Sequence, residues 1–85
     1  MDNILNKIES DINESLANMS IIVTKIEYVK EGKYNFLKIE LDKVNGLDID
    51  TIVEATHIID PIVDKYDFGN DSYILDIVSK ESGEE

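Results

Sequence analysis

Residues 21–42 read IIVTKIEYVKEGKYNFLKIELD, and this segment is the strongest indication of the fold. Its two halves, residues 21–29 and 34–42, are rich in β-branched and aromatic side chains and alternate apolar with polar positions. A short polar segment containing Gly32 separates them, so we predict an antiparallel hairpin. Successive side chains of a strand point to opposite sides of the sheet, and this alternation predicts the core face. The side chains predicted on that face are Ile22, Thr24, Ile26, Tyr28, Leu37, Ile39 and Leu41.

A helix is predicted on each side of this hairpin. In residues 2–18 apolar side chains recur at every fourth position, which gives an amphipathic helix with one apolar stripe. Asp48 is a good N-cap for a second helix that continues through residue 66. Pro61 lies inside this second stretch, so the sequence predicts either a kink there or a new short helix with the proline in its first turn.

A third strand is predicted after the second helix, at residues 73–78. The order helix-strand-strand-helix-strand predicts an α+β fold in which two helices cover one face of a three-stranded sheet. Because a helix connects the second and third strands, we expect these two strands to be parallel, with the first strand between them. The predicted core consists of Ile8, Ile12, Ile26, Tyr28, Leu37, Ile39, Ile52, Val53, Ile59, Leu75 and Ile77.

The composition limits the classes of protein to which the chain can belong. Eighty-five residues make one domain, which we expect at residues 1–79, with an acidic, disordered tail at 80–85. The chain has no cysteine, which excludes disulfides and thiol nucleophiles and favours a cytoplasmic location. No segment reaches the roughly 18 apolar residues of a membrane span, so we expect no membrane partner.

Negative charge is concentrated in the second half of the chain. The net charge is −11, and residues 47–85 contribute −9 of it, from eleven acidic residues and two lysines. Such a surface repels nucleic acid, so free DNA is not an expected partner, whereas a basic protein would suit it. Charge alone leaves open that the acidic residues only keep the protein soluble.

Few residues are typical of catalysis or of ligand binding. His57 has no Cys or Ser nucleophile beside it and no second His for a metal. Asp64, Asp67, Asn70 and Asp71 supply oxygen atoms, but their spacing departs from that of a calcium-binding loop. We therefore expect no enzyme, no cofactor and no metal site.

RNA binding through the sheet is an alternative. Tyr34 and Phe36 could stack on bases, with Lys25, Lys33 and Lys38 around them. The missing fourth strand and the negative net charge argue against this interpretation. We favour the hypothesis that the two aromatic side chains cover the sheet or contact another domain.

Five segments follow one another along the chain in an order typical of one family. They are IEYVKEG at 26–32, LKIELDK at 37–43, GLDID at 46–50, DPIVD at 60–64 and YILDIVS at 73–79. With these segments, residues 20–79 resemble the N-terminal domain of the bacterial ribosome maturation factor RimP. The resemblance implies a non-catalytic α+β domain that assists late assembly of the small ribosomal subunit, near a basic ribosomal protein. It also implies a second, β-barrel domain, so we expect the chain to be either part of a longer protein or a short homologue.

Acidic residues late in the chain form the predicted docking surface. They belong to the end of the second helix, the turn after it and the last strand, and Ser79 marks where the second domain would begin. The predicted partner is the small ribosomal subunit, with its protein and rRNA, and we expect a monomer. Two alternatives remain: the aspartates only cap or solvate the helix and turn, or the chain is an acidic inhibitor that occupies another basic partner. The predicted residues are Asp60, Asp64, Asp67, Asp71, Asp76 and Ser79.

Overall fold

The structure is a computed structural model that describes residues 2–66 and 72–80. Within these ranges the elements follow the predicted order helix-strand-strand-helix-strand, which confirms the α+β fold class. A short 3-10 turn follows the first helix. The bounds are α1 Asp2–Leu16, the 3-10 turn Ala17–Met19, β1 Ile21–Glu31, β2 Tyr34–Lys43, α2 Ile49–Asp64 and β3 Ile74–Ser79.

The hairpin of β1 and β2 is antiparallel, as predicted. Its turn consists of Gly32 and Lys33, between Glu31 and Tyr34, which pair with each other. Gly32 has a φ of 64°, a left-handed conformation that glycine adopts without a steric penalty. The glycine therefore permits the tight turn that sets the register of the two strands.

The central strand of the sheet is β2, which lies between β1 and β3. β3 runs parallel to β2, as predicted, with Ile77 opposite Ile39. The expectation that β1 lies between the other two strands is wrong. The reason is burial, since Leu37, Ile39 and Leu41 of β2 are completely buried. The backbone groups beside such a buried row need hydrogen-bond partners, which a strand on each side provides.

The predicted core face of β1 is correct for the second half of the strand and wrong for the first half. Ile26 and Tyr28 pack against the core, as predicted. At the start of the strand Ile21 and Val23 are buried instead, and Ile22 is 55% exposed. The alternation of side chains therefore changes phase within β1.

A β-bulge at Thr24 causes this change of phase, and Thr24 is exposed rather than buried. Val23 pairs with Leu41 and Lys25 pairs with Glu40, so Thr24 is an extra residue in β1. Because side chains alternate with a period of two, an extra residue exchanges the two faces beyond it. The Thr24 hydroxyl donates to the Glu40 carboxylate, with Oγ1 and Oε1 2.8 Å apart, which joins the bulge to β2.

The core lies between the two helices and one face of the sheet. α2 continues through Pro61, so the alternative of a new helix at the proline is wrong. Val53, predicted in the core, is 50% exposed, and Ile52 is only partly buried. For Val53 the reason is helical geometry, because position 53 lies about 120° around the axis from Ile59. The buried apolar side chains are Ile8, Ile12, Leu16, Ile21, Val23, Leu37, Ile39, Leu41, Ala55, Ile59, Ile62 and Val63.

Candidate docking surface

Asp60 and Asp64 lie on the exposed side of α2, near its C-terminal end. Positions four apart differ by about 40° around a helix axis, so the two residues share one side of the helix. Neither carboxylate forms a hydrogen bond or an ion pair with the residues that the structure describes. The structure therefore brings two of the predicted acidic residues together as neighbouring charges that have no partner among the described residues.

The helix does not stabilise these two charges. Free carbonyl groups give the C-terminal end of a helix a partial negative charge, which disfavours nearby carboxylates. The last turn of α2 contains no basic residue. After Asp64, the backbone N–H of Lys65 donates to the carbonyl of Ile62, and that of Tyr66 donates to the carbonyl of Val63. Backbone groups alone therefore close the end of the helix. Neither aspartate caps the helix.

Two tyrosines define the surroundings of this helix end. The pKa of Tyr73, just before β3, is raised mainly by burial and further by the charges of Asp64 and Asp60, so both carboxylates lie near it. Tyr66 follows the helix, and its hydroxyl donates to the carboxylate of Asp11 in α1, a bond that raises the pKa of Tyr66. The acidic pair therefore lies on a helix end that is joined to α1.

The other predicted site residues do not join this pair. Asp76 lies on the face of the sheet opposite the helices, in register with Lys38 of β2, where both line a shallow cavity of about 180 Å³. Ser79 ends β3 and is buried. Asp67 and Asp71 lie outside the described residues.

Charges on the open face of the sheet, opposite the helices, are paired with one another. Lys38 Nζ lies 2.9 Å from Glu31 Oε2 and 5.9 Å from the centre of the Phe36 ring. The hydrogen bond to Glu31 is the main reason that the pKa of Lys38 is raised. Lys25 Nζ lies 3.4 Å from Glu27 Oε2. Two of the lysines considered for RNA binding are therefore already engaged by acidic neighbours.

Two apolar side chains on α2 are exposed although the sequence did not predict their exposure. Ile49 is 77% exposed and Val53 is 50% exposed, and they lie one turn apart on the side of the helix that carries Asp60. A projection around a helix of 3.6 residues per turn could have found Val53, which lies about 120° from Ile59 and about 80° from Val63. It could not have found Ile49, which lies only about 40° from Val63 and is exposed as the first residue of the helix. The side of α2 that carries Asp60 therefore presents apolar side chains near the start of the helix, next to the exposed Asp50 and Glu54, and acidic side chains near its end.

The described residues offer no arrangement for holding a metal ion. Within them, no group of three or more His, Asp or Glu side chains is placed to do so. Neither of the described helices is long and apolar enough to cross a membrane. The chemistry that the α2 surface can provide is electrostatic attraction together with apolar contact.

A comparison with known protein families agrees with the resemblance found in the sequence. The model of the RimP N-terminal domain family matches residues 11–80 of the 85. The matched range includes the last six residues of α1, all three strands and α2. The family is one of ribosome maturation factors. The chain therefore belongs to the RimP N-terminal domain family.

Proposed function

We propose that this domain docks onto the immature small ribosomal subunit in the cytoplasm, with the acidic end of α2 facing a basic ribosomal protein. The observation that carries the proposal is the pair Asp60 and Asp64, which are exposed and have no partner in the described part of the chain. Charges that a helix end disfavours and that no neighbour neutralises are suited to attract a partner from outside. Membership of the RimP N-terminal domain family supports the ribosomal subunit as the binding partner.

A basic protein fits this surface better than rRNA does. Residues 49–64 contain four acidic residues and no Lys or Arg. RNA binding depends on cations that neutralise phosphates, and an acidic helix repels those phosphates. Lys and Arg side chains of a ribosomal protein would instead gain partners at Asp60 and Asp64, which speeds association and sets the orientation.

Sedimentation with free small subunits in a sucrose gradient tests the proposal. The unmodified protein is expected to comigrate with them. The double variant Asp60→Asn/Asp64→Asn removes two charges while keeping side-chain size. An exposed ion pair contributes about 0.2–1 kcal/mol, so we expect the affinity to fall by about 2- to 30-fold. Association should also slow and depend less on salt.

The single variants Asp64→Asn and Glu14→Gln provide a matched comparison, because Glu14 is exposed on α1. We expect Asp64→Asn to weaken binding more. Equal losses would mean that only net charge matters and that the end of α2 is not the docking surface. Failure to bind small subunits, together with binding to a purified nucleic-acid-binding enzyme, would favour the acidic inhibitor instead.

A further inference from the structure

Acidic and apolar side chains share one narrow side of α2. At about 100° per residue, Ile49, Asp60, Val53 and Asp64 follow one another within an arc of about 60° around the helix axis. All four side chains are exposed. At about 1.5 Å per residue the arc extends for about 22 Å, with its apolar members toward the start of the helix and its acidic members toward the end. We call these four residues the α2 stripe.

The charge of the α2 stripe is not balanced within the described part of the chain. Lys38 forms an ion pair with Glu31, and Lys25 forms one with Glu27, so these lysines of the sheet are paired with acidic residues of the sheet. α2 has no Lys or Arg among residues 49–64 and forms no ion pair with described residues. A partner of positive charge would therefore meet no cation within residues 49–64, and Lys65 at the C-cap forms no ion pair with described residues.

Pro61 adds a backbone acceptor beside the stripe. Proline has no N–H, so the carbonyl of His57 lacks the donor that a helix normally supplies four residues later. Both residues are exposed, and they lie about 40° apart around the axis, on the solvent side of α2. A carbonyl that lacks its helical donor can accept a hydrogen bond from a Lys or Arg side chain.

We propose that the α2 stripe binds a segment of a basic protein in which apolar side chains are flanked by Lys or Arg. This inference rests on the proposed function and adds an apolar anchor to it. Ile49 and Val53 lose their exposure to water against the apolar side chains of the partner, which slows dissociation. Asp60 and Asp64 meet its cations, which speeds association. RNA does not fit this description, because its phosphates repel the acidic residues of the stripe.

The double variant Ile49→Ser/Val53→Ser tests the inference. Its binding is measured to three preparations: free small subunits, the mixture of small-subunit proteins freed of rRNA, and naked rRNA of the small subunit. We expect about tenfold weaker binding to the first two preparations. The salt dependence should stay unchanged, because apolar contacts are not screened by ions. A thermal melt checks that the variant folds, and Val53→Thr, which keeps the side-chain shape, should show a smaller loss in the same direction.

Ile22→Ser is the matched control, since Ile22 is 55% exposed but lies on the open face of the sheet. It is expected to bind normally. The inference alone is wrong if Ile49→Ser/Val53→Ser binds normally while Asp60→Asn/Asp64→Asn binds weakly. It is also wrong if the unmodified protein binds naked rRNA and not the protein mixture. Absence of binding to all three preparations would overturn the proposed function as well.

Discussion

Both ends of α2 carry aspartates, and the two ends use them differently. At the N-terminal end Asp48 accepts a hydrogen bond from the backbone N–H of Thr51, with N and Oδ1 2.8 Å apart. The pKa of Asp48 is lowered mainly by a hydrogen bond from the Thr51 side chain and further by this backbone bond. At the C-terminal end Asp60 and Asp64 have no such bond with described residues. The position along the helix therefore decides whether a carboxylate stabilises the fold or stays free for a partner.

Replacing the aspartate at the stabilising end should have the largest effect. Asp48→Ala removes the N-cap, and we expect the melting temperature to fall by about 4–8 °C. The folded-state pKa of Asp48 is lowered, so its contribution is present above the unfolded pKa near 4 and is lost as pH falls through the folded-state pKa. Thermal melts at pH 7 and pH 3 check this. Equal melting temperatures of variant and unmodified protein at pH 7 would show that the cap contributes nothing.

Breaking the contact between the acidic end of α2 and α1 should have an intermediate effect on the melting temperature. Tyr66→Phe removes the bond to Asp11, and we expect the melting temperature at neutral pH to fall by about 2–6 °C. The pKa of Tyr66 is raised, so its contribution is present below the unfolded pKa near 10 and is lost as pH rises through the folded-state pKa. Tyr34→Phe is the control, because Tyr34 is exposed. A similar loss in both variants would mean that the bond to Asp11 does not matter.

The smallest expected change in melting temperature is an increase. Asp64→Asn removes a charge that the helix end disfavours, so we expect the melting temperature to rise by about 1–4 °C. Glu14→Gln reduces the net negative charge by the same amount without changing α2. Its melting temperature shows how much of the rise comes from weaker repulsion across the whole protein. A fall in melting temperature for Asp64→Asn alone would mean that this carboxylate has a structural role.

Local chemistry explains why much of the fold could be predicted from the sequence. The turn at Gly32, the N-cap at Asp48 and the parallel pairing of β3 all depend on neighbouring residues or on the length of one connection. The family could be predicted for the same reason, because its segments are continuous in sequence.

Other features depend on contacts between distant parts of the chain. The bulge at Thr24 forms only when β1 is paired with β2. The segment IIV at 21–23 contains no polar residue, so the sequence does not indicate which of its side chains face the core. The strand order depends on which strand is buried most. The sequence grouped Asp76 with Asp60 in one predicted surface. The alternation of side chains in β3 instead places Asp76 on the face of the sheet that is opposite the helices.

The affinity of Asp60→Asn/Asp64→Asn for free small subunits, compared with that of Asp48→Ala, tests the difference between the two helix ends most directly. We predict that the first variant is at least as stable as the unmodified protein and binds about 2- to 30-fold more weakly. Asp48→Ala is less stable and, well below its melting temperature, should lose less affinity than Asp60→Asn/Asp64→Asn. Normal binding by Asp60→Asn/Asp64→Asn together with a lowered melting temperature would contradict the account, because it would make these two carboxylates structural.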